Sequence, residues 1–263
     1  MSGKYLWILL AVLLVVPVAA EAQVSPDTRL LQRPEWDGAV FTGLYLDGQF
    51  RYQKWDEMKS WMIGPTFAMS FAEMPQLETG ARVFVLNSNP DGASDETGFS
   101  DIDLWGKLQF LDDPLLLSAG LLITLPTGAE KVLHPKASGE FNVELFGAGR
   151  YYATDMLALI GHIGLRINSD MDVKVGGVKG EIDGETQFLL GAGVICEATP
   201  ELDVLGELNF ATEAYKDYDS DIELTGGVQY NFSPDICGRG GIGIGLDDGA
   251  PDFELILGAS AFF

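Results

Sequence analysis

The chain has 263 residues, with 39 Asp and Glu against 16 Lys and Arg and a formal net charge of −23 at pH 7. This acidic balance argues against nucleic acid or an anionic membrane surface as a partner. Two cysteines, Cys196 and Cys237, are too few for a disulfide-built scaffold, and thirty-two glycines with fifteen phenylalanines suit sheets better than helix bundles.

Residues 1–22 read as a cleavable signal peptide. Lys4 supplies a short positive region, Leu6 to Val18 an apolar stretch, and Ala20-Glu21-Ala22 a small-x-small cleavage pattern that leaves Gln23 first. The stretch is shorter than the ~20 apolar residues that span a bilayer, and no Cys follows it to carry a lipid. Export is therefore expected. Residues 23–38, with Pro26 and Pro34, form a periplasmic leader or plug segment ahead of a single domain over 39–263.

From Ala39 onward, apolar and polar residues alternate at period two, the pattern of strands with two differently solvated faces. The blocks run 39–53, 59–72, 77–88, 99–110, 115–126, 139–152, 157–168, 185–198, 202–213, 221–232, 237–246 and 252–263. In the fourth, Ile102, Leu104, Leu108 and Phe110 oppose Asp101, Asp103, Lys107 and Gln109. In the last, Phe253, Leu255, Leu257, Ala259, Ala261 and Phe263 oppose Glu254 and Ser260.

Links between blocks alternate in length. Short turns carry Pro or Asp, which favour tight reversals: Met74-Pro75-Gln76, Asp112-Asp113-Pro114, Thr154-Asp155, Thr199-Pro200-Glu201 and Ser233-Pro234-Asp235. Longer links lie near 89–98, 127–138, 169–184, 214–220 and 247–251, while the link around Trp55 to Met58 is brief. Short turns at one end, long loops at the other and an even strand count predict an all-β, transmembrane, antiparallel up-and-down β-barrel. It has about twelve strands and both termini in the periplasm. A soluble sandwich or lipocalin-like barrel also alternates, but with its apolar face inward. A spanning sheet must close on itself because lipid offers its edges no hydrogen bonds.

Gly98 to Phe110 (GFSDIDLWGKLQF) followed by Leu115 to Lys131 (LLLSAGLLITLPTGAEK) resembles the outer-membrane transporter family named for the meta-pathway of phenol degradation. Gly98, Asp101, Leu104 and Lys107 stand at its strand-motif positions, and Leu125-Pro126-Thr127-Gly128 at its strand end. The resemblance implies a Gram-negative outer-membrane location and passage of small solutes, hydrophobic or aromatic ones by the family label. Phe263 is similar to the C-terminal aromatic that barrel-assembly machinery reads.

With apolar faces toward lipid, a charge costs several kcal/mol at the bilayer midplane. The residues expected to line the lumen are therefore Asp47, Arg51, Glu78, Arg82, Asp101, Asp103, Lys107, Glu140, Glu144, Arg150, His162, Arg166, Glu207, Glu223, Arg239 and Glu254. Arg82 is placed to pair with Asp101 or Asp103, and Arg166 with Glu140 or Glu144. Carboxylates outnumber Lys and Arg in this set, so an open pore should mildly prefer cations. A barrel of this size is either a narrow channel or is filled by the leader or an infolded loop.

Outer-membrane barrels can also be lipid or peptide hydrolases, or plugged structural or adhesion barrels. Neither His134 nor His162 stands in a nucleophile motif, so no catalytic residue is expected. Asp217-Tyr218-Asp219-Ser220-Asp221 alternates oxygen ligands but lacks the Gly and Glu of an EF-hand, with Ile222 and Val228 in their places. With Asp91, Asp95 and Glu96 it reads as a solvated acidic surface that can bridge lipopolysaccharide through divalent ions. By alternation Cys196 points outward and Cys237 inward on non-adjacent strands, which argues against a disulfide. No cofactor or resident metal is implied, and the expected partners are membrane lipid, lipopolysaccharide, the assembly machinery and a small solute.

Overall fold

A computed structural model describes residues 24–263 except positions 42, 93, 130, 131, 133, 135, 136, 176 and 177. The signal-peptide and cleavage-site readings at 1–23, and Lys131 of the resemblance, lie outside the described residues. Among the described residues, sixteen strand segments follow one another: β1 (Leu44–Lys54), β2 (Met58–Phe71), β3 (Met74–Arg82), β4 (Val85–Pro90), β5 (Glu96–Phe99) and β6 (Ile102–Leu111). Next come β7 (Leu115–Leu125), β8 (Asn142–Thr154), β9 (Leu157–Ile167), β10 (Met171–Val175) and β11 (Val178–Ile182). The last are β12 (Thr186–Thr199), β13 (Leu202–Ala211), β14 (Asp221–Ser233), β15 (Ile236–Gly245) and β16 (Phe253–Phe262).

Fourteen of these segments, all but β10 and β11, make twelve staves of one closed antiparallel barrel. Neighbours in sequence pair around the wall, and β1 pairs with β16 to close it, Tyr45 opposite Phe262 and Lys54 opposite Phe253. Closure pairs the first and last staves with each other, so the barrel presents no open seam to lipid. β3 and β4 are one stave, since β2 pairs with both in a single register, Thr66 with Arg82 and Ile63 with Val85. The interruption falls opposite Pro65, which has no N–H to give, while Val83 N donates to the Pro65 carbonyl at 3.3 Å. β5 and β6 form the next stave against β4 and β3.

The predicted blocks match the staves to within a few residues except at the start. Strand pairing begins at Leu44 rather than 39, because Ala39 to Phe41 belong to the leader. The long link 169–184 is not structureless: it carries the β10–β11 hairpin, Met171 opposite Ile182. The bridge between Gly184 and Tyr215 ties this link to the one after β13.

Alternation places apolar side chains outward along the staves, with Ile63, Leu104, Leu108, Leu145, Ile163, Leu190, Leu208, Ile242 and Leu257 all exposed. Aromatics gather at the two rims of this band. Phe71, Phe110, Tyr151, Tyr230 and Phe232 lie toward the short turns, and Phe99, Phe141, Phe188 and Phe253 toward the long links. Two aromatic girdles around an apolar band are the pattern of a barrel seated across a bilayer.

Candidate functional site

The interior is occupied by the leader. Val24 N donates to the Asp155 carbonyl at 2.8 Å, in the short turn between β8 and β9. The chain then rises inside the barrel, where Thr28 Oγ1 donates to Asp203 at 3.0 Å and the Leu31 and Gln32 amides donate to Glu207. Gln32 Nε2 reaches Glu223, Thr225 and Glu254 near the long-link ends of their strands. Past Pro34 the chain descends. Trp36 Nε1 donates to Glu144 at 2.7 Å and Phe41 N to Glu78 at 2.9 Å, and Gly43 N meets Ser70 Oγ at 3.1 Å beside the start of β1. Residues 24–41 thus form an inverted loop that enters and leaves at the short-turn end.

With no ladder of its own, the leader must have its backbone polar groups met by the wall, since unmet groups are costly when buried. Four wall cations accept most of that task. Arg150 donates to the carbonyls of Ser25 and Thr28, Arg239 to those of Arg29 and Leu30, and Arg51 to those of Leu31 and Gln32. Lys107 Nζ donates to the carbonyls of Glu35, Asp37 and Ala39. Charged donors make hydrogen bonds roughly twice as strong as neutral ones.

Around the apex and the descending limb, side chains meet side chains. Arg33 bridges Glu35 at 2.7 Å and Glu144 at 3.0 Å, and its guanidinium lies 3.8 Å over the Trp36 ring. Arg82 joins Glu35 at 3.1 Å to Asp103 at 2.8 Å, and Arg150 joins Asp37 at 2.6 Å. All seven arginines of the sequence, at 29, 33, 51, 82, 150, 166 and 239, are buried or half-buried. Each buried charge needs an opposite partner or several donors to offset its desolvation.

Of the residues predicted to line the lumen, Asp47, Arg51, Glu78, Arg82, Asp101, Asp103, Lys107, Glu144, Arg150, His162, Glu207, Glu223, Arg239 and Glu254 are buried. Glu140 and Arg166 are half-buried. Arg82 takes Asp103 as expected. Asp101 instead caps the link after β7, accepting from Gly128 N at 2.7 Å, Ser138 Oγ at 3.1 Å and Gly139 N at 3.2 Å. Of the two partners expected for Arg166, Glu144 is held instead by the leader's Arg33 and Trp36, and Arg166 donates to Thr124 Oγ1 at 3.2 Å.

The inward face is less polar than alternation implied. Leader and wall share two apolar clusters. Val24, Leu30 and Leu31 pack with Ala158, Ile160, Ile195, Leu205 and Ile256, while Trp36 and Phe41 pack with Tyr45, Trp105, Leu122, Phe146 and Leu189. No strand period marks the leader; its available signal was a short run mixing Arg29, Arg33, Glu35 and Asp37 with Leu30, Leu31 and Trp36.

His162 lies against Trp36 at 3.9 Å between ring centroids with the rings tilted by 31°, and both of its ring nitrogens are buried without a hydrogen-bond partner. His134 is buried rather than on the loop surface, with Nε2 3.2 Å from Gln53 Oε1, because the link after β7 folds inward and packs Val132 and Ala137 on Met62, Phe84 and Leu86. Both cysteines are free, Cys196 half-buried and Cys237 buried. Among the described residues no three His, Cys, Asp or Glu side chains stand together as a metal site. In the acidic run, Asp217 adopts a left-handed φ of 65° and Ser220 Oγ donates to Asp247.

No protein-family profile and no curated protein matches the sequence. Solved structures do match the fold. An outer membrane channel from Pseudomonas putida F1 superposes with a TM-score of 0.74 at 13% identity, over 88% of this chain and 99% of the other. The NanC porin does so with a TM-score of 0.55 at 11% identity, over 83% and 100%. The CymD monoaromatic hydrocarbon channel gives 0.50 at 10% identity, over 85% and 89%. The architecture is that of outer-membrane channels and porins.

Proposed function

We propose that the protein is an outer-membrane channel for small solutes whose lumen is held closed by its own leader, residues 24–41. One observation carries this reading: an aromatic-girdled apolar exterior encloses an ionised interior, and the leader fills that interior without taking part in the wall. The fold shared with a Pseudomonas outer membrane channel supports it. In this reading the short turns and both termini face the periplasm, the outer face meets lipid and lipopolysaccharide, and Phe263 is the handle for barrel assembly.

Solute passage then requires the leader to leave. The uncovered wall carries more carboxylates than cations among the predicted lining residues, so the open pore prefers cations modestly. Aromatic compounds are the cargo supported by the phenol-family resemblance and by the monoaromatic hydrocarbon channel among the similar folds. The test is planar-bilayer conductance of the refolded protein with and without residues 24–41. Small or absent steps in the full chain and large, cation-preferring steps after deletion are expected; equal conductance would remove the leader from gating. Uptake of labelled phenol in cells with and without the gene tests the cargo.

A further inference from the structure

The ascending limb of the leader is gripped in an unusual way. Five successive carbonyls, Thr28 to Gln32, are taken by three arginines from three different staves: Arg150 of β8, Arg239 of β15 and Arg51 of β1. Within the same stretch the amides of Leu31 and Gln32 are both taken by Glu207 of β13. These contacts read backbone and are indifferent to the side chains that the backbone carries.

Two apolar side chains between them sit over glycines. A Cβ at Gly193 would come within 2.4 Å of Leu30 Cδ1, and one at Gly241 within 2.3 Å of Leu31 Cδ1. Only residues without a side chain let the leucines lie this close to the wall. Beyond the glycines, Ile195, Leu205 and Ile256 complete an apolar floor. Cation-held carbonyls, carboxylate-held amides and pockets for neighbouring apolar side chains are the elements by which proteins bind extended peptides.

We propose that this part of the inner wall is a peptide-binding site. Its ligand class is a short extended peptide with two adjacent apolar residues, and Thr28–Gln32 of the leader is the resident ligand. The proposal rests on the leader being displaceable from the lumen. Tethering raises the local concentration of the leader to the millimolar range, so a free peptide competes poorly against the intact chain but binds the vacated wall.

The experiment uses the barrel lacking residues 24–41 in a planar bilayer, with a synthetic peptide of sequence 24–41 added from the short-turn side. Expected is a concentration-dependent block, weakened tenfold or more when the peptide carries Asp in place of both leucines. Arg239→Gln in the wall should raise the half-blocking concentration by a similar factor. An open pore that millimolar peptide does not block, or a block indifferent to both changes, overturns the peptide site while leaving the channel reading intact. A deleted barrel that folds, by heat-modifiable gel migration, yet never conducts counts against the channel reading instead. Should the truncated barrel not refold, the full chain carrying Leu30→Asp and Leu31→Asp offers an unchanged wall for the same titration.

Discussion

The wall and the leader are stabilised by opposite means. In the wall, backbone pairs with backbone along twelve staves, and the ladder itself is made without side chains. In the leader, Thr28 to Ala39 have wall side chains as their main backbone partners, and four of these, Arg51, Lys107, Arg150 and Arg239, carry much of the load. A barrel wall therefore tolerates substitution on its inner face, whereas the docked leader is sensitive to a handful of residues that the wall itself does not need. The proposed gating therefore expects the leader to move without the wall unfolding.

The largest effect expected from breaking this arrangement is at Arg150. Its Asp37 pair and two carbonyl contacts are buried, and removing one partner of such a network costs about 3–5 kcal/mol. Arg150→Ala should leave the barrel folded but raise the conducting fraction more than a hundredfold, read as channel open probability. Loss of the heat-modifiable folded band in this variant would show that the wall depends on its inner charges after all.

Ile163→Arg tests the converse. Ile163 lies near the middle of β9 on the outer face and is 52% exposed, so a charge there costs about 2–4 kcal/mol in lipid. Folding yield into liposomes should fall, with unchanged gating in the molecules that do fold. Unchanged yield would argue against that face meeting acyl chains.

A smaller and sharper readout uses the native thiols. Cys237 is buried on the inward face at 1% exposure, whereas Cys196 is half-buried on the outward face. Arg150→Ala should speed labelling of Cys237 by a water-soluble maleimide severalfold and leave Cys196 unaffected. Equal acceleration of both would indicate loosening of the wall rather than departure of the leader. The smallest effect is expected at the exposed Lys216–Asp183 pair, 3.5 Å apart between two long links; Lys216→Ala should change stability by less than about 1 kcal/mol, measured as urea midpoint in detergent.

Much of this was legible before the structure. Alternation puts Glu78, Lys107, Glu144 and Arg239 on the face opposite the apolar one, and all four are buried. Their partners were not legible. Alternation reports which way a side chain points but not what stands opposite across the lumen, so Glu144, one of two partners offered for Arg166, is taken by the leader's Arg33 and Trp36. Inward apolar residues such as Trp105 and Phe146 broke the polar pattern and acquire a reason only from Trp36 and Phe41 packed against them.

By itself the sequence determined the twelve-stave wall, its sidedness and its alternation of turns and loops, because a period of two and turn chemistry are local properties of the chain. Only the tertiary structure decided that residues 24–41 fold into the lumen and which charges they engage. That segment has no period of its own, and its polar partners lie from about twenty positions away, as Arg51 does, to about two hundred, as Arg239 does, brought within hydrogen-bonding distance only when the barrel closes.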